Sequence, residues 1–211
     1  RVMAAHGISS TRIGLIPGAV DPELFKPAVQ RHAARATLNL PNDRTILFTV
    51  RNLVPRMGLE NLLSAFEMLI PSQPRLMLVI GGEGPLRAEL QEVIRQKNLH
   101  EVVRLVGFVP ESQLNNYYQA SDLVVMPSLQ LEGFGLVMVE ALACGTPVLG
   151  TPVGAIPEVL NQVDPILVAQ GTDGRSIAHA LERVLRRLQD SGEAASLVKK
   201  GRSLVERRYN W

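Results

Sequence analysis

The stretch SDLVVMPSLQLEGFGLVMVE, residues 121–140, decides the fold of this chain. Its first half is an apolar run typical of a buried strand, and its second half has the pattern of an apolar helix. Glu132, Gly133 and Gly135 stand where the strand gives way to the helix. Glycine allows a backbone to approach a ligand closely, and the N–H groups of a first helical turn bind anions. The segment predicts a phosphate seat; the alternative is a tight turn with Glu132 as a favourable charge at the helix N-terminus.

A second carboxylate, Glu140, follows within the apolar run LVMVEALAC. A buried carboxylate without a partner is costly, so Glu140 needs hydrogen-bond donors. Ribose hydroxyls would supply them; the alternatives are a local backbone group and solvent along a narrow exposed face. The two helical turns between the carboxylates span about 12 Å, roughly the scale of a nucleoside diphosphate plus sugar. The pair of carboxylates therefore favours a sugar nucleotide as the ligand.

Outward from this segment, short apolar runs alternate with helical patterns from about residue 45. In six runs the residues that would point to either face of a strand are apolar, as expected for a parallel sheet covered on both faces. These are TILFTV (45–50), RLMLVI (75–80), VVRLVG (102–107), DLVVMP (122–127), PVLG (147–150) and PILV (165–168). The alternation predicts an α/β fold, a Rossmann-like doubly wound parallel sheet of about six strands with helices on both faces. Ligands of such sheets bind at the carboxyl ends of the strands.

Composition narrows the classes of protein. Hydrophobic residues make up 46% of the 211 residues, and no apolar run approaches the length of a membrane span. The chain opens with Arg1 and shows no signal pattern, so we expect a piece of a longer protein. The single Cys144 excludes an internal disulfide and a cysteine zinc site, and it fits a cytoplasmic location. We interpret Cys144 itself as a small buried hydrophobe.

The net charge of +2 gives little reason to expect a polyanionic partner. Arginine and lysine are frequent between residues 183 and 208, but few aromatic residues are interleaved for base stacking. We therefore interpret these charges as solvated helix faces and predict no nucleic-acid partner. Peripheral contact with a membrane stays open. The four histidines, His6, His32, His100 and His179, are scattered, and the sequence shows no metal cluster.

The signature at 132–140 resembles the Glu-x7-Glu motif of the family 4 (group 1) retaining glycosyltransferases, which have the two-domain GT-B fold. Further segments are similar to that family over roughly residues 13–170. They are IPGAVDPELF (16–25), VRNLVPRMGLENLLSAF (50–66), IGGEGPLRAEL (80–90), VRLVGFVPESQL (103–114) and EALACGTPVLGTPVGAIPEVL (140–160). The resemblance implies two parts. Residues 1–26 would be the tail of an N-terminal domain and the linker, and residues 27–211 the C-terminal nucleotide-sugar-binding Rossmann-like domain. Within the first part, the pattern of RIGLIPGAVDPELF (12–25) predicts a lone strand, a turn and a short connector.

The resemblance also implies roles for individual residues. Glu132 would contact hydroxyls of the donor sugar, Arg51 would neutralise the diphosphate, and Glu140 would bind the ribose. The remaining expected donor-binding residues are Gly133, Phe134, Gly135 and Leu136 at the diphosphate, Phe108 and Val109 beside the nucleobase, and Gly82 and Glu83 at the border of the cleft. Arg51 and Glu132 are the expected catalytic residues. No metal or other cofactor is expected.

Two positions depart from the family pattern. Relatives usually carry lysine as a second cation on the diphosphate where this chain has Met57. Arg56 is adjacent and is a candidate substitute, although neighbouring side chains point in different directions. The departure leaves open a weak or inactive transferase, because one fewer cation would stabilise the leaving group. The second departure, Gly18-Ala19 in place of Asn-Gly, changes turn chemistry only.

The implied reaction transfers a sugar from a nucleoside diphosphate sugar to an acceptor hydroxyl, with retention at the anomeric carbon. The acceptor, a carbohydrate or lipid-linked glycan, would bind mostly to an N-terminal domain, so we expect this chain alone to bind nucleotide without transferring sugar. Two alternatives stay open: a sugar-nucleotide epimerase of the same fold and a non-catalytic nucleotide-binding module. A nicotinamide-dependent oxidoreductase is disfavoured, because GGEGPLR (81–87) lacks the third glycine of the dinucleotide fingerprint.

Overall fold

The computed structural model describes residues 9, 14 and 16–211. The strands are β1 (Thr45–Val50), β2 (Leu76–Gly81), β3 (Val103–Gly107), β4 (Leu123–Met126) and β5 (Val148–Gly150). The helices are α1 (Arg31–Thr37), α2 (Leu59–Leu69), α3 (Arg87–Gln96), α4 (Glu111–Ala120), α5 (Leu136–Ala143), α6 (Ile156–Leu160), α7 (Gly174–Gln189) and α8 (Ser191–Arg208). Short 3-10 helices span Pro55–Met57 and Pro165–Leu167.

The five strands form one parallel sheet in the order β3-β2-β1-β4-β5. The α2 helix packs against α7, while α1 packs against α4 and α5 against α8, so helices flank the sheet. Strands β2, β4 and β5 are buried along their whole length, as the apolar runs predicted. The predicted α/β doubly wound fold is confirmed.

The predicted sixth strand at 165–168 is wrong. Residues Pro165–Leu167 form a 3-10 helix, and only Val168 makes an isolated parallel bridge, to Gly150. Proline has no N–H to give to a strand ladder. The carboxylate of Asp164 in addition accepts a hydrogen bond of 3.1 Å from the N–H of Ile166. Both features favour a capped turn over an extended strand.

The strand order shows where a ligand-binding cleft is expected in this sheet. Strands β1 and β4 are neighbours although β2 and β3 lie between them in the chain, and Leu47 pairs with Leu123 and Phe48 with Val124. The chain therefore leaves β1 toward one side of the sheet and leaves β4 toward the other. Ligands of open α/β sheets bind at such a switch point, outside the carboxyl ends of the strands. The segments that follow Val50 and Met126 meet there.

The segment before α1 is attached to α8. The N–H of Val20 donates to the carbonyl of Tyr209 at 2.8 Å. The guanidinium of Arg202 donates to the carbonyls of Phe25, at 3.0 Å, and Pro22, at 3.2 Å. The boundary between residues 26 and 27 stays a prediction. The lone strand expected at the start of residues 12–25 falls largely on residues outside those described, as does His6.

Candidate functional site

A cleft of about 550 Å³ opens at the carboxyl ends of the central strands. Its walls come from the loops after β1, β2, β3 and β4 and from the first turn of α5. The lining residues are Val50, Arg51, Asn52, Met57, Gly82, Glu83, Phe108, Val109, Glu132, Gly133, Phe134, Gly135, Leu136 and Val137. The structure thus brings together all predicted site residues except Arg56 and Glu140.

The loops after β1 and β2 are held close by one glycine. The N–H of Arg51 donates to the carbonyl of Gly81 at 3.0 Å and extends the strand ladder by one step. Gly82 has a φ of 125°, and a Cβ built on it would lie 1.8 Å from the carbonyl oxygen of Arg51. A side chain at this position would push the β1 loop away, so Gly82 sets the backbone position from which Arg51 reaches into the cleft.

The guanidinium of Arg51 is the electrostatic centre of the cleft. It forms an ion pair with the carboxylate of Glu132, and the two side chains are 4% and 10% exposed. Its Nη2 also donates to Ser128 Oγ at 2.8 Å and to the sulfur of Met57 at 3.1 Å. Arg51 is the only arginine or lysine among the lining residues. The cationic character of the cleft therefore depends on one side chain that already has an anionic partner.

Ser128 was not singled out from the sequence. It is fully buried, and its hydroxyl accepts from Arg51 and donates to Glu132 Oε2 at 2.7 Å. The hydroxyl of Thr151 donates to the carbonyl of Ser128 at 2.6 Å and so fixes the serine backbone. The one available signal was its place as the first hydroxyl-bearing residue after the apolar β4 run.

The start of α5 offers unpaired backbone donors. Gly135 is the N-cap residue, with a φ of 80°, and no side chain caps the helix. Within the described part of the chain, the N–H groups of residues 134–137 have no hydrogen-bond acceptor. No acidic residue lies in the first turn. Uncapped donors at a helix N-terminus favour an anion, and the helix dipole adds to the effect.

Phe134 contributes to the cleft at the start of α5, while its ring packs against Tyr209. The ring lies 5.3 Å from that of Tyr209 at a tilt of 56°, at the end of α8. A Cβ on Gly18 would come within 2.5 Å of the Phe134 ring, so the small residue of the linker makes room for it. The unusual Gly18-Ala19 pair thus also has a packing consequence.

Glu140 lies outside the residues that line the cleft. Its Oε2 accepts a hydrogen bond of 2.6 Å from the hydroxyl of Tyr118, which is fully buried. Burial raises the pKa of the Glu140 carboxyl, the Tyr118 hydrogen bond opposes this shift, and the charge of Glu111 adds to it. The donor that a buried carboxylate requires is therefore a tyrosine of α4.

Arg56 also lies outside the lining residues. Its Nη1 donates to the carbonyl of Leu131 at 3.2 Å, which ties the 3-10 helix to the loop after β4. Met57, next to it, is buried and faces the cleft. The two neighbouring side chains diverge, so the Arg56 guanidinium does not occupy the place that lysine would have at position 57.

The rim of the cleft is formed by the loops after β2 and β3. Phe108 is 69% exposed, whereas Val109 is buried. Gly82 and Glu83 lie on the adjacent β2 loop, where the N–H of Gly82 donates to the carbonyl of Gly107 at 2.6 Å. An exposed aromatic ring beside a polar loop suits a planar ligand group, since aromatic faces stack on nucleobases.

The described residues contain no group of three or more His, Cys, Asp and Glu side chains placed to hold a metal ion. His32, His100 and His179 are exposed on separate elements. The Cys144 thiol is buried and donates to Asn115 Oδ1 at 3.1 Å, and burial raises its pKa to about 12. In the described part of the chain, no helix is long and apolar enough to cross a bilayer.

The family model for "Glycosyl transferases group 1" matches residues 30–203. The chain belongs to this family. The resemblance to the group 1 glycosyltransferase family that the sequence predicted is therefore confirmed.

Individual relatives support the same assignment. The group 1 chain is 34% identical over 202 residues to the D-inositol 3-phosphate glycosyltransferase 2 of Catenulispora acidiphila, a match that covers 90% of this chain and 47% of that protein. It thus spans about half the length of this curated relative. A sucrose-phosphate synthase from Thermosynechococcus elongatus superposes with a TM-score of 0.80 and 35% identity, covering 94% of this chain and 49% of that one.

A third protein, Anabaena Alr3699/HepE in complex with UDP, superposes with a TM-score of 0.85 at 20% identity, covering 98% of this chain and 56% of the other. At that identity the match shows the fold alone. The solved neighbours are GT-B glycosyltransferases, and the five-stranded parallel sheet of this group 1 chain matches their C-terminal domains.

Proposed function

We propose that this chain is the donor-binding domain of a retaining glycosyltransferase that moves a sugar from a nucleoside diphosphate sugar to an acceptor hydroxyl. One observation supports this most strongly. At the switch point of the sheet, the buried guanidinium of Arg51 and the uncapped N–H groups of residues 134–137 line the same cleft. Both are groups that bind phosphate oxygens.

The proposed chemistry follows from where charge develops. As the bond between the anomeric carbon and the diphosphate breaks, negative charge grows on the leaving phosphate. Arg51 and the first turn of α5 would stabilise that charge more strongly in the transition state than in the ground state. Glu132 would orient the sugar through its hydroxyls, and the exposed ring of Phe108 would lie beside the base.

Three further parts of the proposal concern what lies around the cleft. The reaction would need no metal, because the positive charge comes from Arg51 and backbone donors. The acceptor, a carbohydrate or a lipid-linked glycan, would bind mainly to residues beyond this chain, so the chain alone would not transfer sugar. A cytoplasmic location is proposed from the single cysteine. That the protein has no nucleic-acid partner stays a prediction, and so does peripheral contact with a membrane.

Calorimetric titration of the chain with UDP, GDP and ADP tests the donor site. We expect one of the three to bind, and to lose affinity by roughly 10- to 100-fold in Arg51→Met, since a hydrogen bond to a charged group contributes about 1.5–3 kcal/mol. Arg183→Met, on the exposed face of α7, is the matched control and should leave the affinity unchanged. Wild-type chain that binds none of the three nucleotides would contradict the proposal.

Met57 supports a second candidate function, a nucleotide-binding module with little or no transfer activity. Its thioether contacts Arg51 and supplies no charge to the cleft. Met57→Lys in the full-length protein separates the two candidates. Transfer activity that rises in the variant indicates weakened chemistry, whereas nucleotide binding without transfer in both proteins favours the module. Product analysis in the same assay would reveal an epimerase. Epimerisation requires no acceptor, so its product would be an altered sugar without any transfer to an acceptor.

A further inference from the structure

The carboxylate of Glu132 lies where the proposed phosphate seat is. Its Oε2 contacts Arg51 and Ser128. Its Oε1 is 3.5 Å from the position that a Cβ on Gly135 would take, directly beside the start of α5. The protein's own anion therefore stands between the buried guanidinium and the helix N-terminus, which are the two groups that would bind a diphosphate.

Arg51 has no other acidic partner within the described part of the chain. The remaining contacts of its guanidinium are a hydroxyl, Ser128, and a thioether, Met57. A buried cation without a counterion is costly, so Glu132 stabilises Arg51 when no ligand is bound. A diphosphate that reaches Arg51 brings a second anion to the same guanidinium. The repulsion between carboxylate and phosphate opposes their staying together.

Ser128 differs from both charged partners because it is fixed independently of them. It is fully buried, and Thr151 binds its carbonyl. Its hydroxyl contacts Arg51 and Glu132 together. If the ion pair opens, Ser128 still donates to Glu132 and keeps that carboxylate at the wall of the cleft. A carboxylate held there is available to the hydroxyls of a sugar.

We infer that a diphosphate displaces Glu132 from Arg51, and that Ser128 is the positioning residue that retains Glu132 at the cleft after this exchange. The inference rests on the proposed function and deepens it. Glu132 would be the counterion of Arg51 in the free protein and a sugar ligand in the bound protein. Glu132 would therefore weaken binding of the diphosphate moiety and strengthen binding of the sugar moiety.

The Glu132→Gln variant tests the competition by calorimetry with UDP, GDP and ADP. We expect the nucleotide that binds the wild type to bind the variant about tenfold more tightly, because no carboxylate then competes for Arg51. Glu158→Gln, an exposed carboxylate on α6 near Phe134, is the matched control and should change affinity less than about twofold. Equal or weaker binding by Glu132→Gln overturns the exchange while leaving the donor site intact. Absence of binding by every protein overturns both.

The wild-type chain offers the same test without risk of misfolding. Inorganic pyrophosphate carries neither base nor sugar. It would therefore affect the Glu132 carboxylate only by competing with it for Arg51. Carbon-detected NMR of the glutamate carboxylates during a pyrophosphate titration should show a saturable shift for Glu132 and none for Glu158. Movement of backbone amides 134–137 while the Glu132 carboxylate stays still would overturn the inference.

Ser128→Ala tests the positioning role. The variant should bind the nucleoside diphosphate that the wild type binds, within about twofold, but lose about fivefold of the preference for the corresponding nucleoside diphosphate sugar over that diphosphate. A purely structural role would lower all affinities together. An unchanged preference, or a uniform loss, contradicts the assignment of Ser128.

Discussion

The two carboxylates of the 132–140 signature have opposite surroundings. Glu132 contacts a guanidinium and a serine hydroxyl inside the cleft. Glu140 contacts a tyrosine hydroxyl outside the residues that line it, and burial raises the pKa of its carboxyl. One carboxylate lies in an ion pair, and the other is shifted toward its neutral form by the low-dielectric interior. The spacing in sequence alone does not reveal this difference in charge environment.

In the proposed site the diphosphate lies at the Glu132 end, whereas Glu140 forms a hydrogen bond that joins α5 to α4. A ribose at Glu140 would have to share or replace the Tyr118 hydroxyl. The predictions below separate the two ends, in order of decreasing expected effect.

Arg51→Met should have the largest effect. It leaves the Glu132 carboxylate buried without its cation, and breaking a buried pair in this way costs about 3–5 kcal/mol of unfolding free energy. Urea denaturation followed by circular dichroism measures the loss. Arg56→Met, whose guanidinium donates to the Leu131 carbonyl, is the neighbouring control and should lose less than about 1 kcal/mol. Equal losses in the two variants would show that Arg51 has no special role.

Gly135→Ala should destabilise the start of α5. A residue other than glycine in the left-handed region costs about 1–2 kcal/mol, and the new Cβ would lie 2.9 Å from Met126 Cε. Gly133→Ala is the control, since open space surrounds that position and its φ is not positive. Its effect should stay within about 0.5 kcal/mol. Thermal denaturation of both variants measures the two losses. A larger loss of stability in Gly133→Ala would contradict this prediction.

Glu140→Gln should change the pH dependence of stability. A carboxyl whose pKa is raised on folding stabilises the fold fully below its unfolded pKa, and that contribution is lost as pH rises through the folded pKa. The neutral amide avoids this loss. The unfolding free energy of the variant relative to wild type should therefore increase as the pH rises above the ordinary carboxyl pKa of 4.5. A difference that is flat or decreases with pH would show that Glu140 is not disfavoured as an anion.

The smallest effect is expected at Cys144, the C-cap residue of the helix that contains Glu140. Burial raises the pKa of its thiol to about 12, and the thiolate is the reactive form. Native chain should therefore resist iodoacetamide at about pH 8, and the same chain in urea should be alkylated quickly. Mass spectrometry of the two samples measures the difference. Rapid labelling of native protein would contradict the buried placement.

The sequence predicted those features that depend on local pattern. The run TILFTV corresponds to β1 at Thr45–Val50, and the glycines at 133 and 135 mark the start of α5. The segment 165–168 was predicted wrongly, because apolar composition alone does not distinguish a short buried strand from a capped 3-10 turn.

The contacts within the site depended on features that the sequence pattern does not contain. Arg51 and Glu132 are separated by 81 positions, and they meet only because β4 lies beside β1 in the sheet. The link between Tyr118 and Glu140 joins two helices across 22 positions. The contact of Ser128 with Arg51 can be predicted only when β1 is known to lie beside β4. These contacts follow from strand order, which apolar periodicity does not determine.

The most direct test follows the backbone amides of the chain by NMR during titration with UDP, GDP and ADP. We expect the following result: the amides of residues 134–137 and the side-chain Nε–H of Arg51 shift most, saturating together with one dissociation constant. Shifts centred on another surface, such as the α7 groove around Arg175 and His179, with residues 134–137 unmoved, would contradict it.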